Sequence, residues 1–109
     1  MANSVIKQQG FKEVSITVNT NYIADNYSRC FTDGKIVILF ICFNLSTLPT
    51  SVNAMLITGL PSINISAYCS GANSKKDALR MRVLNGELKF EDVPTNTGFV
   101  NGLAVYMIK

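Results

Sequence analysis

Histidine is absent from this sequence, and its absence removes much chemistry at once. A Ser-His-Asp triad, a Cys-His pair and a histidine-ligated metal site are impossible within one chain. Seven carboxylates remain: Glu13, Asp25, Asp33, Asp77, Glu87, Glu91 and Asp92. Hydrolysing a glycoside needs two carboxyl groups facing each other at a fixed separation. Asp33 falls in a turn signal, Glu87 and Glu91 flank a short apolar segment, and Glu91 and Asp92, being adjacent, point to opposite sides of a strand. Nothing selects a pair, so no catalytic residue is assigned and no enzyme is expected. Cys30, Cys42 and Cys69 lack metal-ligand spacing, and no Asp/Asn-rich calcium loop occurs. Neither a metal nor a cofactor is expected.

One segment carries side chains suited to recognition. Tyr68, Ser70, Asn73, Lys75, Lys76 and Asp77 follow one another within a short stretch, with Arg80 just beyond. An aromatic face gives apolar contact to a sugar ring, and polar groups read its hydroxyls. An ordinary polar loop between two strands has the same composition, and both readings stand at this point.

Charge narrows the partners. The chain carries net charge +3, and its ten basic residues are scattered. The tight group Lys75, Lys76, Arg80 and Arg82 is broken by Asp77. Nucleic-acid domains carry a dense Lys/Arg stripe, so the pattern reads as a solvated surface and no nucleic acid is expected. With 109 residues, 48% hydrophobic and 16% charged, the chain is one globular domain. It is too apolar for disorder and too poor in charge for a coiled coil. The longest apolar run, Ile36 to Phe43, is far short of the roughly 20 residues of a spanning helix, so no membrane insertion is expected. Met1 to Gly10 is polar, without the apolar core of a secretory signal. The reading is reduced thiols in a protein made in a bacterial cytoplasm.

These side chains must be positioned by strands. Ile36 to Phe43 (IVILFICF) is β-branched and aromatic, follows Asp33-Gly34, and is apolar on both alternating faces. That predicts a central strand buried on both sides, the second cover being supplied by another subunit. Glu13 to Asn19 alternates as a half-buried strand. Tyr27 to Thr32, Ala54 to Thr58, Ile63 to Cys69, Leu79 to Val83, Leu88 to Phe90 and Phe99 to Ile108 complete about eight short strands at roughly 8–12-residue spacing, the pattern of a sandwich or barrel. Asp33-Gly34 and Asn85-Gly86 predict type I′ hairpins. The last strand has two apolar faces, Leu103/Val105/Met107 and Ala104/Tyr106/Ile108, of which one can face the domain's own core.

From Tyr27 onward these segments resemble the C-terminal head domains of bacteriophage tail-fibre and baseplate receptor-binding proteins. The resemblance rests on YSRCFTDGKIVILFICFNL (Tyr27 to Leu45), MLITGLPSI (Met55 to Ile63), LRMRVLNGELKF (Leu79 to Phe90) and GLAVYMI (Gly102 to Ile108). It implies an N-terminal arm over residues 1–12 and, over 13–109, a compact antiparallel β-sandwich or jelly-roll-like head. It further implies a homotrimer at a fibre tip, among other tail or baseplate proteins of the virion, binding host cell-surface saccharide or teichoic-type polymer. On that reading Tyr68 stacks on the sugar, Asn73 and Asp77 read hydroxyls, and Lys75, Lys76 and Arg80 meet polymer phosphates. The site is expected on loops, near a subunit boundary. The alternatives are a structural virion module without its own ligand and a non-viral bacterial lectin-like sandwich.

Overall fold

Alternation of buried and exposed side chains organises the protein into strands. The computed structural model describes residues 10–63 and 65–108. Ten strands run in chain order as β1 (Lys12–Val14), β2 (Thr17–Val18), β3 (Ile23–Asn26), β4 (Arg29–Thr32), β5 (Ile36–Leu45), β6 (Ile57–Thr58), β7 (Ala67–Asn73), β8 (Ala78–Leu84), β9 (Glu87–Phe90) and β10 (Gly98–Met107). The described residues contain no helix. Most of the expected arm lies outside the described residues, and its last residue, Lys12, already pairs in β1.

All pairings are antiparallel and form one sheet in the order β1-β4-β5-β10-β7-β8-β9-β6-β2, with β3 alongside the far end of β5. The two ends of that path, β1 and β2, are separated in sequence by Ser15 and Ile16 alone. So short a link holds the opposite edges of the sheet close together, and the sheet curls into a half-barrel, a β-sandwich-like form. The expected single strand over Glu13 to Asn19 is therefore two strands, on opposite edges.

The concave side is the core. Val37, Leu39, Ile41, Phe43 and Leu45 of β5 meet Val100, Ala104 and Tyr106 of β10, Leu79, Met81 and Val83 of β8, and Leu88 and Phe90 of β9. The Tyr106 hydroxyl donates to the Pro61 carbonyl at 2.8 Å, tying the 59–63 segment to the core. The expected two-sided burial of Ile36 to Phe43 is not what the single chain shows. Phe40 is exposed and Ile36, Ile38 and Cys42 are half-buried, because none of the described residues packs over the convex side to bury them.

The two expected hairpins differ from each other. Asn85 (φ 54°) and Gly86 (φ 79°) both adopt left-handed backbone, as a type I′ turn requires, with Leu84 opposite Glu87. The turn at Asp33-Gly34 is not type I′. Gly34 alone has positive φ (93°), and Asp33 instead accepts the N–H groups of Lys35 and Ile36 on Oδ1 at 2.9 Å each. Those two bonds hold the Asp33 carboxyl below its usual range. All three cysteines are free.

Candidate functional site

The hairpin of β7 and β8 carries the recognition segment, and its register decides what comes together. Tyr68 lies opposite Arg82, Ser70 opposite Arg80 and Ala72 opposite Ala78. Leu79, Met81 and Val83 point into the core, so alternation sends Tyr68, Ser70, Arg80 and Arg82 to the convex side. There Tyr68, Ser70, Arg80 and Glu91 border an open groove of about 530 Å³. Tyr68 is 69% exposed, and its ring is unobstructed. A second depression of about 270 Å³ lies on the other side of Arg80, between residues 77–80 and 92–95.

The arginines are held by carboxylates that follow β9. Arg80 donates from Nε at 3.0 Å and from Nη2 at 2.6 Å to Asp92 Oδ2. Arg82 Nε lies 3.3 Å from Glu91 Oε2, close enough for an ion pair but not aligned for a hydrogen bond. The Glu91 N–H donates to the Arg80 carbonyl at 2.8 Å, which fixes this acidic pair beside the two guanidinium groups. The Arg80–Asp92 pair is solvent-exposed, so it contributes little to stability, about 0–1 kcal/mol.

The expected site residues do not form one cluster. Tyr68 and Arg80 border the groove. Asn73 is 7% exposed and builds the turn. Its Oδ1 accepts the N–H groups of Lys75 (3.0 Å) and Asp77 (2.9 Å), and its Nδ2 donates to Asp77 Oδ2 at 3.0 Å. Asn96 Nδ2 donates to the same Asp77 oxygen at 2.8 Å. Hydrogen bonds from Asn96 and Asn73 hold the Asp77 carboxyl below its usual range. Asn73 thus spends its polar atoms on the turn, while Asp77 also borders the second depression. Lys75 and Lys76 are exposed at the tip, where Lys76 takes a left-handed conformation (φ 70°). At about 3.3 Å per residue the tip lies roughly 20 Å from Tyr68 along the strand.

The segment read as a loop from Ser70 is strand as far as Asn73, so Tyr68 and Arg80 sit on a sheet face rather than on a loop. Arg82, Glu91 and Asp92 were not among the expected site residues. The signal for Arg82 was its i+2 spacing from Arg80, which places both on one face. The acidic pair was hidden because its position depends on β9 pairing back onto β8.

The arrangement suits recognition by contact. An open phenol ring offers an apolar platform, and the Ser70 hydroxyl, two guanidinium groups and two carboxylates surround it with donors and acceptors. Among the described residues no group of three or more Cys, Asp or Glu side chains is placed to hold a metal ion. No helix there is long and apolar enough to cross a membrane. Comparison of the chain with protein-family models, with curated proteins and with solved structures found no match.

Proposed function

We propose that this protein is a receptor-binding head of a phage or prophage tail fibre or baseplate, and that the convex face of the β7–β8 hairpin takes host cell-surface saccharide. The observation that carries this reading is Tyr68, a large aromatic ring left open on a strand beside Arg80 and Ser70, in a groove of about 530 Å³. A ring stacked on Tyr68 places its hydroxyls within reach of Ser70, Arg80 and Glu91. Anionic substituents of a teichoic-type polymer compete with Asp92 for Arg80. Lys75 and Lys76 act at longer range, drawing an anionic polymer toward the hairpin. The all-β, sandwich-like architecture agrees with the resemblance on which the phage assignment, the homotrimer and the tail or baseplate partners rest.

Binding of the labelled protein to glycan arrays and to whole bacterial cells tests it. Tyr68→Ala and Arg80→Ala should each weaken binding at least about 10-fold, as loss of a central contact does. Lys75→Ala with Lys76→Ala should weaken it less, and more so at low salt. Binding unchanged by Tyr68→Ala would refute the site.

A second reading is a fibre- or baseplate-assembly module without its own ligand. It is favoured by the charge matching in and beside the groove, where Arg80 and its neighbour Arg82 already have carboxylate partners. Failure to bind any glycan or host cell, with particles unable to assemble without the protein, would establish it.

A further inference from the structure

The convex face holds a second feature beside the groove. Along β10, Leu103, Val105 and Met107 point outward and lie opposite Phe40, Ile38 and Ile36 of β5. Ile38 in turn lies opposite Phe31 of β4. Phe31 and Phe40 meet edge to face with centroids 6.1 Å apart. The result is a continuous apolar stripe across three neighbouring strands. Phe40 is 51% exposed, Leu103 49%, Val105 57% and Met107 66%.

At roughly 150–250 Å² for a large side chain, those four leave about 450 Å² of apolar surface in water. The half-buried Phe31, Ile36 and Ile38 raise the stripe to about 600 Å², the upper end of the largest patch on typical monomers. With a polar rim it meets the ~800 Å² per partner of a standard stable interface.

The surroundings indicate which partner. The stripe contains no charged side chain. At one border Arg29 lies over the Phe31 ring, 5.2 Å from its centroid, and is bound by Glu13 at 2.7 Å. At the other border Arg80 is bound by Asp92. An anionic lipid surface or an acidic protein needs unpaired cations around the apolar contact, and the cations at these two borders are already matched. With Lys35 alone unpaired at the Ile36 end among the described residues, a face that is apolar in the centre and charge-matched along its two sides complements another of its own kind. Because β5 and β10 are interior strands, contact has to be face on face, as sheets stack about 10 Å apart.

We infer that the convex face of β5 and β10 is a self-association surface, covered in solution by the same face of a second copy of this chain. The inference deepens the self-association in the proposed function by naming its surface, but it needs neither the ligand nor the number three. It also puts the Tyr68–Arg80 groove at the margin of the contact, so that grooves from different copies lie near one boundary.

Sedimentation equilibrium of the full chain at micromolar concentration is the test, with Val105→Glu and Met107→Lys beside the wild type. The wild type should be a stable oligomer. Either substitution should weaken association about 100-fold or more, since it buries an unpaired charge, while the far-ultraviolet circular dichroism of the chain is retained. Met107, at the end of β10, keeps the test decisive if Val105→Glu fails to fold. A monomeric wild type overturns the inference. So does an oligomer that a folded stripe variant leaves intact, and so does a wild-type monomer that instead binds anionic vesicles. Single-site saccharide binding, measured on the same samples, should survive in the dissociated variants. Its absence in the wild type as well would count against the ligand and not against this surface.

Discussion

Gly71 is the residue at which one added methyl group should cost this fold most. It lies opposite Gly102, in the short ladder that joins β7 to β10 over Ser70–Asn73 and Leu103–Val100. A Cβ at Gly71 would drive into the carbonyl oxygen of Asn101, closer than real Cβ atoms approach, and would sit 3.0 Å from the Met81 methyl. Backbone blocks one side and a core side chain the other, so the strands must separate. Overpacking of this kind costs about 1–3 kcal/mol, and each ladder hydrogen bond lost adds about 1 kcal/mol. Gly71→Ala should therefore destabilise by about 3 kcal/mol and lower Tm by roughly 10–20 °C. Gly34→Ala is the control: its methyl meets nothing within 4 Å, and only the positive φ of 93° is penalised, at about 1–2 kcal/mol. With no tryptophan in the chain, urea unfolding is followed by tyrosine fluorescence and circular dichroism. Amide exchange over residues 70–73 and 100–103 should accelerate selectively in Gly71→Ala. Equal losses in the two variants would refute the close approach of β7 and β10.

Gly86→Val meets both a positive φ and the Leu60 carbonyl oxygen at 2.8 Å, and should cost about 2 kcal/mol or more; an unchanged urea midpoint would contradict the turn. Burial pushes the Cys30 and Cys69 thiols up to about 11, so alkylation near pH 8 should be slow in the native protein. After unfolding without reductant all three cysteines should be modified, and a disulfide-linked pair would contradict this. Asp77 has a folded pKa below its unfolded value, so its contribution is present above about pH 4 and lost as pH falls through the folded value. The urea midpoint should fall less steeply between pH 5 and pH 2 in Asp77→Asn than in the wild type; equal slopes would show that the Asn96 and Asn73 bonds do not favour the carboxylate.

What the sequence made legible follows the range of the forces involved. The strand at Ile36 to Phe43, the alternation of Leu79, Met81 and Val83, and the Asn85-Gly86 turn are set by neighbours in sequence. The two alternating faces of the last strand were equally visible, but since both are apolar the alternation did not say that Leu103, Val105 and Met107 form the outward one. Two errors came from chemistry that local rules treat as equivalent. Asp33-Gly34 and Asn85-Gly86 look alike, but Asp33 uses its carboxylate on the Lys35 and Ile36 amides and leaves the left-handed conformation to Gly34 alone. Asn73 has the composition of a ligand-reading residue, yet buried at the start of a turn it satisfies the backbone of that turn. The rest was hidden because it depends on partners distant in sequence. Nothing near Ser15 shows that the chain crosses there from one sheet edge to the other, and nothing near Glu91 shows that it faces Arg82.

β10 is the last strand in sequence among the described residues, yet it sits in the interior of the sheet, with β5 on one side and β7 on the other. Met107 pairs with Ile36, so the ladder closes a loop of some seventy residues. A nascent chain on the ribosome can form the β4–β5 and β8–β9 hairpins as they emerge, because their contacts are local. It cannot unite them until Gly98–Met107 is free of the exit tunnel. Until then β5 carries an open edge and its apolar inner face, a species prone to aggregate. The decisive step of folding therefore waits for the strand farthest along the sequence and belongs to the slow, high-contact-order regime of milliseconds to seconds. A ribosome that still holds Gly98–Met107 in its exit tunnel would carry hairpins and no completed sheet.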